Sequence, residues 1–121
     1  MIVDTSVWVD HLRRHNRRLG ELLVGGLVEM HPFILGELAC GNLHERPTLL
    51  GLLGGLPSAV IADHDEALAL LERRRLHGRG IGWVDVHLLT SAMLTRVPLW
   101  TLDRRLAAVT AELGVDGGVV G

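Results

Sequence analysis

Residues 1–10 read MIVDTSVWVD. Ile2 and Val3 make the apolar start of a buried strand, Asp4 ends it, and Thr5-Ser6-Val7-Trp8 opens a segment of helical character. A strand that passes directly into a helix is the repeating unit of a parallel α/β sheet. In such sheets ligands bind outside the carboxyl ends of the strands, which is where Asp4 stands. Asp, Ser and Thr are also the preferred helix N-caps, so Asp4 has a purely structural reading as the cap of the helix that follows.

The rest of the chain repeats this alternation. Strand-like runs at Met1–Val3, Leu27–Met30, Ala59–Ala62 and Leu99–Leu102 are separated by longer helical patterns, and Gly117–Val120 is the only late candidate for a fifth strand. The expected helices cover Val7–Arg14, Arg18–Val24, Phe33–Asn42, Pro47–Leu53, Asp65–His77, Trp83–Thr95 and Arg104–Leu113. In Asp65–His77, Ala67, Leu68, Leu71 and Leu76 lie near one face while Glu66, Glu72, Arg73 and Arg74 face water. These patterns predict a single α/β domain over residues 1–121, with a central, mostly parallel sheet of four to five strands flanked by helices. Neither G-x-G-x-x-G nor G-x-x-x-x-G-K-[ST] occurs, so no nucleotide cradle is indicated; in GRGIGW, Trp83 takes the place of the last glycine.

With 48% apolar and 21% charged residues in 121, the chain can bury enough surface to fold as one globular unit. The longest uncharged stretch, Pro47 to Ala62, is broken by Gly51, Gly54, Gly55 and Pro57, so no membrane helix is expected. No basic region precedes an apolar one at the N-terminus, which predicts no signal peptide. Cys40 is the sole cysteine, excluding an internal disulfide and suiting a reducing cytoplasm. A net charge of −2 is not that of a uniformly basic nucleic-acid binder. The 12 basic residues are nonetheless all Arg, bunched at Arg13-Arg14, Arg17-Arg18, Arg73-Arg74-Arg75-Arg79 and Arg104-Arg105. Guanidinium forks suit phosphate oxygens, although the same clusters read equally well as solvated helix faces.

Four acids stand in awkward places. Asp103, after the strand in PLWTL, should emerge at the same sheet edge as Asp4. Glu37 is the only charged residue in FILGELACG, and Asp85 the only one in WVDVHLLTSAML. Helices this apolar are expected to be buried, and an isolated buried carboxylate is costly unless paired or bound to a cation. Each acid has a structural alternative: Asp4 and Asp103 as N-caps, Asp85 in a first helical turn, Glu37 paired with an Arg. Together they form a set of hard oxygen ligands without Cys or regularly spaced His, which fits Mg²⁺ or Mn²⁺ better than zinc. His31, His44, His64, His77 and His87 show no H-E-x-x-H spacing and read as surface or locally satisfied residues. Such an ion lowers the pKa of bound water and neutralises charge on a phosphoryl oxygen, so phosphodiester hydrolysis follows. In this reading a helical acid such as Glu37 orients the water or assists in binding a second ion.

The set D-T-S at the N-terminus, G-E-L-A-x-G, W-V-D-x-H-L-L-x-S-A and L-x-T-L-D-R-R-L, in this order, resembles the PIN-domain ribonucleases, and among them the VapC toxins of type II toxin–antitoxin modules. The resemblance covers essentially the whole chain. It implies a five-stranded parallel sheet flanked by helices, a homodimer, and Mg²⁺- or Mn²⁺-dependent endonucleolytic cleavage of RNA. It implies an acidic site of Asp4, Glu37, Asp85 and Asp103, with Ser6 and Thr101 as hydroxyl partners. Joined to the reading of the residues, it makes Asp4, Asp85 and Asp103 the expected metal ligands, with Glu37 supporting the water or a second ion. It further implies a VapB-like antitoxin whose C-terminal segment wraps the toxin and can place an Arg in the acidic pocket. Many relatives carry another Asp or Asn two positions after the fourth acid, where this chain has Arg105.

Two competing readings have their own signatures. A haloacid-dehalogenase-like phosphatase needs a second Asp two positions after Asp4, where Ser6 stands. A non-catalytic binding module would keep the fold and use the Arg faces alone.

Overall fold

The computed structural model describes residues 1–117, and Gly117–Val120, the expected fifth strand, lies outside them beyond Gly117. Two strands form a parallel ladder, β1 (Ile2–Val3) and β2 (Leu99–Trp100), with Ile2 opposite Leu99 and Val3 opposite Trp100. Single parallel bridges extend the array: Ile2 to Glu29, Met30 to Ser58, and Leu99 to Asp116. The spatial order is therefore Ser58, Glu29-Met30, β1, β2, Asp116, with β1 central. Two strands, rather than four to five, reach ladder length among the described residues. The outer segments are cut short where Pro57 supplies no N–H and where Pro32 opens a helix two residues after Met30.

Among the described residues seven helices fill the intervals: α1 (Thr5–Arg14), α2 (Arg17–Val24), α3 (Pro32–Ala39), α4 (Arg46–Gly54), α5 (His64–Arg73), α6 (Trp83–Thr95) and α7 (Arg104–Glu112). Their starts have local causes. Asn16 Oδ1 accepts Leu19 N–H ahead of α2, and Asp63 with Glu66 forms a reciprocal capping box on α5. α3 ends at Ala39 rather than Asn42, where Arg46 donates to Ala39 O and Gly41 O and holds the turn. Of the expected inner face of α5, Ala67 is buried but Leu68 is 41% exposed, and Leu70 takes its place in the core.

One apolar core unites these elements. Ile2, Val3, Val7, Leu19, Ile34, Leu88, Leu89, Leu99 and Leu106 are buried within it, and α6 runs through its centre with Val86 to Ala92 buried in succession. Because β1 and β2 are parallel and adjacent, their carboxyl ends, at Asp4 and Thr101, open on one edge.

Candidate active site

Asp4 occupies the N-cap position of α1, yet its side chain makes no capping hydrogen bond. Its Oδ2 instead accepts two hydroxyls, Ser6 Oγ at 2.8 Å and Thr101 Oγ1 at 2.7 Å. The residue is only 7% exposed, and these donors offset the cost of burying a carboxylate there. Backbone pairing brings Thr101 into place, since Asp4 N–H donates to Trp100 O at 2.8 Å. The two hydroxyls lie 3.2 Å apart, and each also accepts a backbone N–H: Leu102 to Ser6 and Asp103 to Thr101, both at 3.0 Å.

The other acids are held differently. Asp103 caps α7, its Oδ1 accepting Arg105 N–H at 2.9 Å and Leu106 N–H at 3.1 Å. Asp85, in the first turn of α6, accepts Gly82 N–H at Oδ2 over 3.0 Å. Glu37 Oε1 accepts the Thr5 hydroxyl at 2.8 Å. The structural readings thus describe real contacts at Asp103 and Asp85, and fail at Asp4. Glu37 departs from expectation in another way: it is exposed, because α3 buries only Ile34 and Leu38 and turns its remaining residues outward or to half-burial, and it forms no ion pair among the described residues.

A common pattern emerges. In each of the four acids one oxygen is fixed by a donor of the protein, while the other has no hydrogen-bond partner among the described residues. None of the four is in a salt bridge among those residues either; the ion pairs present are Arg14–Asp10, Arg17–Glu21 and Arg79–Glu112. Asp85 senses the other three. Burial is the main cause that raises its pKa above the usual carboxylate value, the Gly82 N–H opposes the shift, and the charges of Asp4, Asp103 and Glu37 each add to it. The acids therefore share one electrostatic neighbourhood.

As the side chains stand, no group of three or more His, Cys, Asp or Glu among the described residues is close enough to hold one ion jointly. The donor set nonetheless fits a hard divalent cation: it is made of carboxylate oxygens, each anchored at one end and open at the other. Mg²⁺ commonly takes only one or two protein carboxylates and completes its shell with water.

Some residues were misread or missed from sequence. His31 and His87, expected at the surface or locally satisfied, are both buried, and each keeps one ring nitrogen without a partner among the described residues. His31 Nδ1 accepts Phe33 N–H at 3.0 Å, and burial, followed by the neighbouring His87, lowers its pKa to about 4. Thr5, the partner of Glu37, escaped notice because its contact is made only in the folded chain. Arg18 lies over the Trp100 ring, 4.6 Å from its centroid, and Arg79 is held by both oxygens of Glu112. Those two are structural. Arg104 and Arg105, exposed beside Asp103, pair with no carboxylate among the described residues.

Comparison with known proteins gives the family. The profile of the PIN domain matches residues 1–112. Ribonuclease VapC32 from two strains of Mycobacterium tuberculosis is 47% identical over 116 residues, covering 95% of this chain and 94% of the relative.

Proposed function

The chain belongs to the PIN-domain family, among its VapC ribonucleases, and on that premise we propose that it is a divalent-metal-dependent endoribonuclease, the toxin of a type II toxin–antitoxin module. The observation that carries this reading is that each of the four carboxylates is fixed at one oxygen and open at the other, and that Asp85 lies near enough to the other three to feel their charges. Asp4, Asp85 and Asp103 are the proposed ligands of Mg²⁺ or Mn²⁺, and Glu37 the residue that orients water. A bound ion would supply an acidified water and neutralise charge on the scissile phosphate.

The chain's own groups do the rest. Ser6 and Thr101 hold Asp4 by Oδ2, so that Oδ1 keeps one direction. Asp103, locked to the α7 N-terminus, cannot swing away, and its cap shares the Thr101 hydroxyl with Asp4 through the Asp103 N–H. Burial of Asp85 strengthens its interaction with any cation in the site. Arg104 and Arg105 at the rim offer forks to flanking phosphates, contacts that position RNA without reading its sequence.

A cognate antitoxin and a homodimer belong to the same proposal. Val24, Leu27 and Leu52 are 92%, 58% and 68% exposed and offer apolar surface that a partner would cover. A groove of about 420 Å³ lined by Val9, Leu12, Leu38 and Leu49 also includes Thr5 and Glu37, so a segment bound there would reach the acids.

The test is cleavage of RNA by protein purified free of any antitoxin. Activity is expected with Mg²⁺ or Mn²⁺ and none with EDTA; cleavage that survives the chelator in nuclease-free preparations would remove the metal from the mechanism.

A further inference from the structure

The helices that carry Glu37 and Asp85 also hold a group of rings that the proposed chemistry does not use. Phe33 packs between two imidazoles, His31 at a centroid distance of 5.1 Å and His87 at 5.0 Å. Trp83 stands edge-on to His87 at 4.7 Å and 89°, and His64 leans on Trp83 at 5.2 Å. The rings come from the N-terminal ends of α3, α5 and α6. The inner ones are buried, His31 completely and His87 to 5% exposure, while Phe33 and Trp83 each keep 38% of their surface in solvent.

That exposure is selective. The chain has three Trp, one Phe and no Tyr. Trp8 and Trp100 are 2% and 4% exposed, so the two large aromatics that reach solvent are both in this group. The group also contains two buried polar atoms without a hydrogen-bond partner among the described residues, His31 Nε2 and His87 Nδ1. Because His31 Nδ1 accepts the Phe33 N–H, the neutral ring carries its proton on Nε2, a donor left without an acceptor. Buried polar groups of this kind are rare and call for a partner.

The helices of Phe33 and Trp83 each carry one of the acids. Phe33 and Glu37 are one turn apart on the same face of α3, while Trp83 opens α6 two positions before Asp85, on another side of that helix, and is joined to Phe33 through His87, against which both rings pack. We propose that Trp83 and Phe33 form a stacking surface for an unpaired nucleobase of the RNA, next to the phosphodiester that lies at the carboxylates. The proposal rests on the ribonuclease reading and assigns that site two substrate-positioning residues. Four carboxylates repel a phosphate backbone, whereas a ring face binds a base without regard to charge. Bases inside a duplex have both faces covered, so the surface selects a base that is out of its stack.

The test exploits the burial of the other tryptophans. A ten-nucleotide single-stranded RNA is titrated into wild type in EDTA, and into Asp4→Asn with Mg²⁺, following Trp emission and the anisotropy of a label on the RNA. Quenching by the single strand is expected, with little from the same sequence in a duplex. Trp83→Ala should weaken binding about 5- to 150-fold, the range of one base–aromatic stack. Trp83→Phe should lose the signal and bind within a few-fold of wild type, and Phe33→Leu, which keeps apolar volume without a ring, should weaken binding. Binding without quenching and with an unchanged Kd in Trp83→Ala overturns the proposal and leaves the rings to packing or to a protein partner. Absence of binding in both titrations overturns it too. The underlying reading fails separately, if the single strand quenches but is never cleaved in Mn²⁺.

Discussion

At Thr101 one hydroxyl serves two acids, donating to Asp4 Oδ2 and accepting the Asp103 N–H. Thr101→Val keeps the shape and removes both bonds, leaving a nearly buried carboxylate short of a donor. A loss of about 1–3 kcal/mol is expected in denaturant melts, together with a marked fall in cleavage rate. At Asp85 the sign reverses. Its pKa is raised in the folded protein, so its ionisation costs stability as pH rises from the unfolded value of 3.8 through the folded one. Asn can still accept the Gly82 N–H. In EDTA, Asp85→Asn should therefore be at least as stable as wild type at neutral pH, the advantage vanishing below pH 3.8 and cleavage being lost throughout. A mutant less stable at neutral pH would mean that the cap bond outweighs burial and repulsion. The site also marks what sequence could convey: Asp85 and Asp103 carry a local capping signal and Ser6 reaches Asp4 from two positions away, whereas the Thr101 hydroxyl meets Asp4 only through pairing of β1 with β2.

Among the elements, α7 separates cap from site most cleanly. Asp103→Ala removes both the cap and the charge, and should cost about 0.5–2 kcal/mol as well as activity. Asp103→Asn keeps an acceptor for Arg105 and Leu106 N–H, so it should melt close to wild type and still fail to cleave. Equal activity in Asp103→Asn and wild type would reduce Asp103 to a cap. The same scale shows why helices were easier to read than strands. α6 runs from Trp83 to Thr95 as its apolar pattern predicts, because its own residues determine its span. The segments at Leu27–Met30 and Ala59–Ala62 are apolar enough for strands, but ladder length depends on neighbours, and only Glu29, Met30 and Ser58 find bridges. α3 misled for a related reason: its apolar residues spread around the helix, and only packing decides that Ile34 and Leu38 go inward while Phe33 and Glu37 face out.

Across the whole molecule, one buried core brings residues from the two ends of the chain, Asp4 and Asp103, to one edge. The domain thus spends its stability on holding like charges near one another, and a cation bound only by the folded state should raise its melting temperature. Exposed Val24, Leu27 and Leu52 predict self-association, seen as a dimer mass by light scattering at micromolar concentration; a monomer that also ignores its neighbouring gene product would count against the toxin–antitoxin assignment. The central claim, that the carboxylates at this edge are a single metal-dependent nuclease site, is tested most directly by the initial rate of RNA cleavage in Mn²⁺ for wild type and Asp4→Asn, both shown by melting to be folded. The account predicts loss of at least about 100-fold, the scale on which removing one pre-organised electrostatic group slows a reaction. An Asp4→Asn protein that cleaves at the wild-type rate would contradict it.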